Sequence, residues 1–196
     1  MNSECLKRSV AGAAIAAAMS IAGAAQGEVI TYTATLSGAA EAEPNESPGT
    51  GFTQVDFDLE AHTMRVQVTF SGLLAPTTNC HIHSATEMPF MGTAMVATPV
   101  PTFPGFPGGV TSGSYDMTFD TSLASSWNPA FITAHGGTVA SAEAFFAQSL
   151  ANGTAYLNVH STMFTGGEIR GFLVPSPGAA ALLGIGGLTA MRRRRG

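Results

Sequence analysis

Three stretches of this chain carry side chains able to do chemistry. The first is His81-Ile-His83, two imidazoles separated by one residue. If the stretch is a strand, both rings leave the same face about 7 Å apart at the backbone. Imidazoles at that spacing are natural ligands for copper or zinc. The second stretch is Thr154-Ala-Tyr-Leu-Asn-Val-His160, which places Tyr156, Asn158 and His160 on one strand face and Leu157 and Val159 on the other. The third is Gly166-Gly-Glu-Ile-Arg-Gly171 with Phe172, which sets Glu168, Arg170 and Phe172 on one side. The last two read as a hairpin around a Gly-rich turn. His160 can supply a third metal ligand if its strand lies beside the His-x-His strand, with Asn158 or Glu168 orienting the ligands from behind. Cys80 points to the opposite face and is a poor ligand for the same ion. Glu168 and Arg170 are expected to form a partly exposed ion pair, worth under about 1 kcal/mol. The alternative is that these groups only hydrogen-bond across strands and fix loops.

The elements that must position them are strands. Val29–Ser37 alternates Ile30, Tyr32, Ala34 and Leu36 with outward threonines. Phe52–Leu59 and the run Met64, Val66, Val68, Phe70 continue the pattern, joined at Glu60-Ala-His62, where His62 reads as a solvated turn residue. Thr78–Ser84 carries the two histidines, and Ser114–Asp120 is a further strand with Tyr115, Met117 and Phe119 on one face. Between these two strands, Glu87–Gly109 is rich in proline and glycine and cannot be a central strand. Its Phe90, Phe103 and Phe106 are expected to fold back on the body, the alternative being an exposed tip that binds protein or polysaccharide. Ser141–Leu150 is the one short helix, with Glu143 in its first turn and Asn152-Gly153 past its end. The fold class is therefore all-β, and the sheet is expected to be antiparallel.

Charge is sparse, at 11% of residues, and unevenly placed. Residues 28–173 hold Arg65 and Arg170 against nearly all the carboxylates, so the body is acidic and does not suit nucleic acid. Cys80 is the body's single cysteine, which leaves no disulfide to form within it. No nucleophile elbow, phosphate-binding loop or Ser/His/Asp order is present, and the chain is read as a non-enzyme. Residues 1–27 have the order of a secretory signal peptide: Lys7-Arg8, an apolar run, then small residues at Ala22-Gly-Ala24 and Ala25-Gln-Gly27. Residues 174–196 form a second targeting segment. Val174-Pro-Ser-Pro177-Gly178 leads into an apolar run shorter than the roughly twenty residues that span a bilayer. Arg192, Arg193, Arg194 and Arg195 then hold the end cytoplasmic. Both segments are expected to be hydrophobic helices.

Two resemblances follow from these residues. The tail, with Val174, Pro175, Pro177, Gly178, the Leu182-Leu-Gly-Ile-Gly-Gly187 run and the four arginines, resembles a PEP-CTERM sorting signal, with Ser176 where glutamate is usual. That implies a bacterial protein held transiently in the inner membrane, processed by an exosortase-type enzyme, and destined for the cell surface or exopolysaccharide matrix. The body, residues 28–173, resembles the CHRD (chordin-type) domain. The likeness lies in Tyr32-Thr-Ala-Thr-Leu-Ser-Gly38, Glu41 with Pro44, Gly72-Leu73, His81-Ile-His83, Tyr156-Leu-Asn-Val-His160 and Gly167-Glu-Ile-Arg-Gly171. This resemblance implies a compact antiparallel β-sandwich, Ig- or superoxide-dismutase-like, an extracellular place and no established enzymatic activity. A His-x-His strand in a secreted sandwich is also similar to copper/zinc superoxide dismutases, but the further ligands of a dinuclear site cannot be placed. The sequence thus supports an exported binding or structural module, with extracellular matrix or polysaccharide as partner. The alternative is a mononuclear copper or zinc protein, able to do redox chemistry, with His81, His83 and His160 as ligands.

Overall fold

The computed structural model describes residues 28–177. The leader 1–27, and the tail from Gly178 through Arg192–Arg195, lie outside the described residues. Eight strands, β1 (Ile30–Ser37), β2 (Thr50–Asp58), β3 (Thr63–Ser71), β4 (Thr77–His83), β5 (Gly113–Asp120), β6 (Tyr156–Ser161), β7 (Ile169–Phe172) and β8 (Val174–Pro175), form one antiparallel sheet. Its order is β4-β6-β7-β1-β2-β3-β5, with β8 also on β1. The all-β, antiparallel architecture expected from the sequence is present. The layers expected of a sandwich are the arms of a single sheet curled into half a barrel.

The join between β7 and β1 is short. These strands meet only at Ser37↔Arg170, and the chain then rejoins β1 through β8 at Thr33↔Val174 and Tyr32↔Pro175. Gly171 permits the close approach: a Cβ there would lie 2.3 Å from the Thr35 carbonyl oxygen. Val174 and Pro175, expected to open the targeting segment, are thus paired into the sheet, and the Ser176 N–H donates to the Thr31 carbonyl.

Period-two alternation fills the inside of the curl. Tyr32, Leu36, Val55, Phe57, Met64, Val66, Val68 and Phe70 from β1–β3 meet Cys80 and Ile82 from β4, Leu157 and Val159 from β6 and Ile169 from β7, all buried. The open side between β4 and β5 is closed by the Pro/Phe loop, as the sequence predicts. Phe103 is fully buried between Tyr115 (5.7 Å between centroids) and Phe119 (5.4 Å), and Phe106 stacks on Phe70. Phe90 instead stays exposed. The same loop covers the free edge of β4, through Ala97 N–H to the Ile82 carbonyl and Phe103 N–H to the Cys80 carbonyl. An edge strand covered in this way is protected from pairing with another chain.

Helices cap one end of the curl, and here the structure departs from the single helix expected. A short α1 (Pro129–Ala134) starts at Asn128, whose side chain accepts from the Ala130 N–H, with proline at the first helical position. The longer α2 (Val139–Ala151) begins two residues earlier than predicted, because Thr138 and Ser141 form a reciprocal cap, and this moves Glu143 out of the first turn. Phe146 of α2 packs edge-on to Phe57 and Trp127. His62 is not merely solvated: its Nδ1 lies 2.9 Å from the buried carboxylate of Glu143, which also accepts from the Thr121 hydroxyl.

Candidate metal centre

The alternation that sends Cys80, Ile82, Leu157 and Val159 into the core sends every polar partner to the outer face. Pairing of β4, β6 and β7 then fixes which residues meet. His81 lies opposite Asn158, Asn158 opposite Arg170, His83 opposite Tyr156, and Tyr156 opposite Phe172. His160 pairs with Asn79 and so stands diagonal to His81, within reach of a long side chain. This outer face is not open to solvent. The 38–45 segment, the first part of the Pro/Phe loop and the 162–167 turn lie over it, so His81 and His160 are buried and His83 nearly so.

The sequence-predicted ligands His81, His83 and His160 do converge. One ring nitrogen from each lies within 4.8 Å of the others, and Nε2 of His81 is 2.9 Å from Nε2 of His160. The opposite edge of each ring is fixed by a backbone carbonyl: His81 Nδ1 to Pro101 at 3.0 Å, His83 Nδ1 to Ala94 at 2.8 Å, and His160 Nδ1 to Thr165 at 2.9 Å. A carbonyl only accepts, so each Nδ1 must carry the proton and each Nε2 presents a lone pair. The nitrogens left free to bind, the three Nε2, thus belong to rings that converge on one small space. The Nε2 of His83 has no partner there, and two others face each other with no proton to share. That is how metal-binding histidines are oriented, with the far nitrogen donating to a carbonyl.

Electrostatics hold the rings neutral. Burial pushes His81 down to about 3, helped by the neighbouring imidazoles His83 and His160. Burial likewise lowers His83 to about 4 against its hydrogen bond to Ala94, with His160 and the Arg170 guanidinium opposing protonation as well. His160 is lowered by burial too. Neutral imidazole is the form that binds a metal. His83 stacks parallel on Tyr156, with centroids 4.7 Å apart at 6°, and the Arg170 guanidinium lies over the same tyrosine ring at 4.8 Å.

Two expectations about neighbouring residues are corrected. Glu168 and Arg170 do not pair, and neither is exposed. Arg170 donates to the Ala40 and Gly92 carbonyls and faces Glu41 at 3.8 Å. Glu168 turns away, because the chain at Gly167 (φ +132) leaves strand geometry, and its carboxylate accepts from the Ser47 hydroxyl and the Leu74 N–H. The ligands are oriented by loop carbonyls rather than by Asn158 or Glu168. Asn158 instead lies against Glu41, whose carboxyl is pushed up to about 7 because burial outweighs the nearby Arg170 charge. Glu41 Oε1 and Asn158 Oδ1 are buried without partners. Both crowd Gly167, where a Cβ would lie 2.5 Å from Asn158 Oδ1 and 2.7 Å from Glu41 Oε1.

Among the comparisons with known proteins, a family model described as the CHRD domain matches residues 32–173. No curated protein and no solved structure matches the chain.

Proposed function

The chain belongs to the CHRD-domain family, and from that premise we propose that it is an exported bacterial surface or matrix protein whose domain binds one copper or zinc ion on His81, His83 and His160. The single observation that carries the metal reading is the convergence of three imidazoles whose Nδ1–H groups are each held by a backbone carbonyl, leaving Nε2 free on every ring. A tetrahedral ion with metal–nitrogen bonds near 2.0–2.1 Å needs its nitrogens roughly 3.3 Å apart. The 2.9 Å and 4.8 Å separations present bracket that value, and rotations of about 1 Å at the ring tips bring all three into range. Three imidazoles leave a fourth position for water or a further ligand. Cys80 is excluded by geometry, being buried in the core on the other face.

The role proposed is binding rather than turnover, since the groups nearest the histidines orient and cover them. Zinc and copper titration of the purified protein, followed by elemental analysis, tests this reading. One equivalent should be retained by the wild type and none by the His81/His83/His160→Ala variant. Retention of no metal by the wild type overturns it. The export part is supported by the Lys7-Arg8 leader and by the Val174-Pro-Ser-Pro177-Gly178 tail with its arginine finish. Its processing partner would be an exosortase-type enzyme, met during transient residence in the inner membrane. A chain ending at Pro177 keeps the strand that pairs with β1 and should appear as released protein. Continued membrane retention of that chain contradicts the sorting role.

A further inference from the structure

Zinc and copper both suit three imidazoles, and the methionines separate them. Methionine is ordinarily a core residue. Here, among the described residues, Met64 is fully buried, whereas Met88 (59%), Met91 (56%), Met95 (37%) and Met163 (66%) are exposed, as is Met117 (38%) on β5 at the far edge of the sheet. The first four of these exposed methionines sit in the two loops whose carbonyls hold His83 and His160. Met95 lies between Ala94, which accepts from His83 Nδ1–H, and Val96, which bridges to His83 itself. The Met95 carbonyl accepts from the Ser84 N–H, so its backbone runs directly beside the end of the His-x-His strand. Met88 and Met91 face each other across a β-bridge in the same loop. Met163 precedes Thr165, which accepts from His160 Nδ1–H. The two loops meet, since Thr93 and Met163 line one cavity of about 610 Å³.

We propose that Met88, Met91, Met95 and Met163 form a thioether rim that captures Cu(I) and passes it to the trihistidine centre. The proposal rests on the metal-centre reading and deepens it by naming the metal. Thioether sulfur is a soft ligand that selects Cu(I), whereas zinc takes imidazole, thiolate and carboxylate. A rim of this kind gives no help to zinc. Capture and transfer keep the metal as Cu(I), so no electron changes hands. An apolar docking patch is the competing account of exposed methionines. The exposed Phe90 beside Met88 and Met91 belongs to that account, but it leaves out Met163, which comes from a separate loop beside the carbonyl that holds His160.

The test uses the purified full chain carrying methyl-¹³C methionine, titrated with Ag(I) as a redox-inert stand-in and then with Cu(I) under anaerobic conditions. The first equivalent should perturb the imidazole resonances. Further metal should shift the methyls of Met88, Met91, Met95 and Met163 but not those of Met64, in the core, or Met117, on β5 at the other edge of the sheet with its sulfur accepting from the Tyr115 hydroxyl. The Met88/Met91/Met95/Met163→Leu variant should load Cu(I) from a chelator complex at least tenfold more slowly and take up zinc unchanged. These substitutions are at exposed positions and leave the fold intact. Unmoved rim methyls, an equal shift at Met117, or wild-type Cu(I) loading by the variant each overturn the rim. If the imidazoles respond and the rim does not, the rim falls and the centre stands. If the rim methyls respond and the imidazoles do not, the centre falls and the transfer proposed here falls with it.

Discussion

Replacing His83 by Phe separates a metal ligand from a structural histidine. In the metal-free protein His83 Nε2 is a buried acceptor without a partner, and leaving such a group unpaired costs about 1–3 kcal/mol. Phe removes that cost and keeps an aromatic ring against Tyr156, where His83 now stacks at 4.7 Å. What is lost is the Nδ1–H bond to Ala94, about 0.5–1.5 kcal/mol net, and that carbonyl belongs to a half-buried residue able to find water. The metal-free variant should therefore be between about zero and 2 kcal/mol more stable than wild type. With metal at a hundredfold excess over Kd the order reverses. The wild type should gain about 2.7 kcal/mol, which for a domain of this size raises Tm by roughly 5–11 °C. The variant should gain almost none. Calorimetry with and without chelator, then with zinc or copper, reads both halves. A metal-free variant that loses more than about 2 kcal/mol, or equal metal gains in both proteins, would refute the argument and make His83 a scaffold residue.

Two further outcomes follow from groups around the centre. Glu41 has a folded pKa of about 7 against an ordinary 4.5, so its contribution is fully present below 4.5 and is lost as pH rises to about 7. Glu41→Gln should remove up to about 3 kcal/mol of that pH dependence and stabilise the protein at pH 8. Urea denaturation of both proteins at pH 4.5 and pH 8 checks it, and a variant that keeps the wild-type slope refutes it. Phe103→Ala should cost about 3–5 kcal/mol, because the ring is fully buried between β5 aromatics rather than exposed at a loop tip. A loss below about 1 kcal/mol in the same denaturation assay would return the loop to the surface.

Side-chain parity made the outer face legible from sequence. Once β6 is a strand, Tyr156, Asn158 and His160 must leave one side, and once β4 is a strand His81 and His83 must too. Their meeting needed only that β4 and β6 be neighbours, which the structure supplies. What parity cannot carry is anything held by a loop. The acceptors behind the rings are backbone carbonyls of Pro101, Ala94 and Thr165, which carry no residue-type signal. Glu168 and Arg170 alternate correctly, yet Gly167 breaks strand geometry just before Glu168 and sends the two side chains to different partners. The short join between β7 and β1 is equally silent, resting on the approach of Gly171 to the Thr35 carbonyl. The α1 helix did have a signal in Asn128-Pro129, a cap followed by proline at the first position, but too few residues follow to show a helical period.

The placement of the histidines argues for an ion on energetic grounds as well as geometric ones. A sheet that needed only hydrogen-bonded histidines could satisfy each Nε2 with one of the many hydroxyls and amides this chain carries. Instead all three Nδ1–H groups donate to carbonyls, which locks the tautomer and leaves three acceptors on converging rings. Two of those acceptors are 2.9 Å apart, a distance at which lone pairs repel unless a cation lies between them. Burial disfavours a proton in that role, holding His81 near 3 and His83 near 4. The Arg170 charge, anchored by the Ala40 and Gly92 carbonyls, adds to the cost of protonating His83. A metal ion relieves all three acceptors together without requiring any ring to be charged. The same arrangement without an ion keeps a fixed penalty, and that penalty is what the His83→Phe comparison measures.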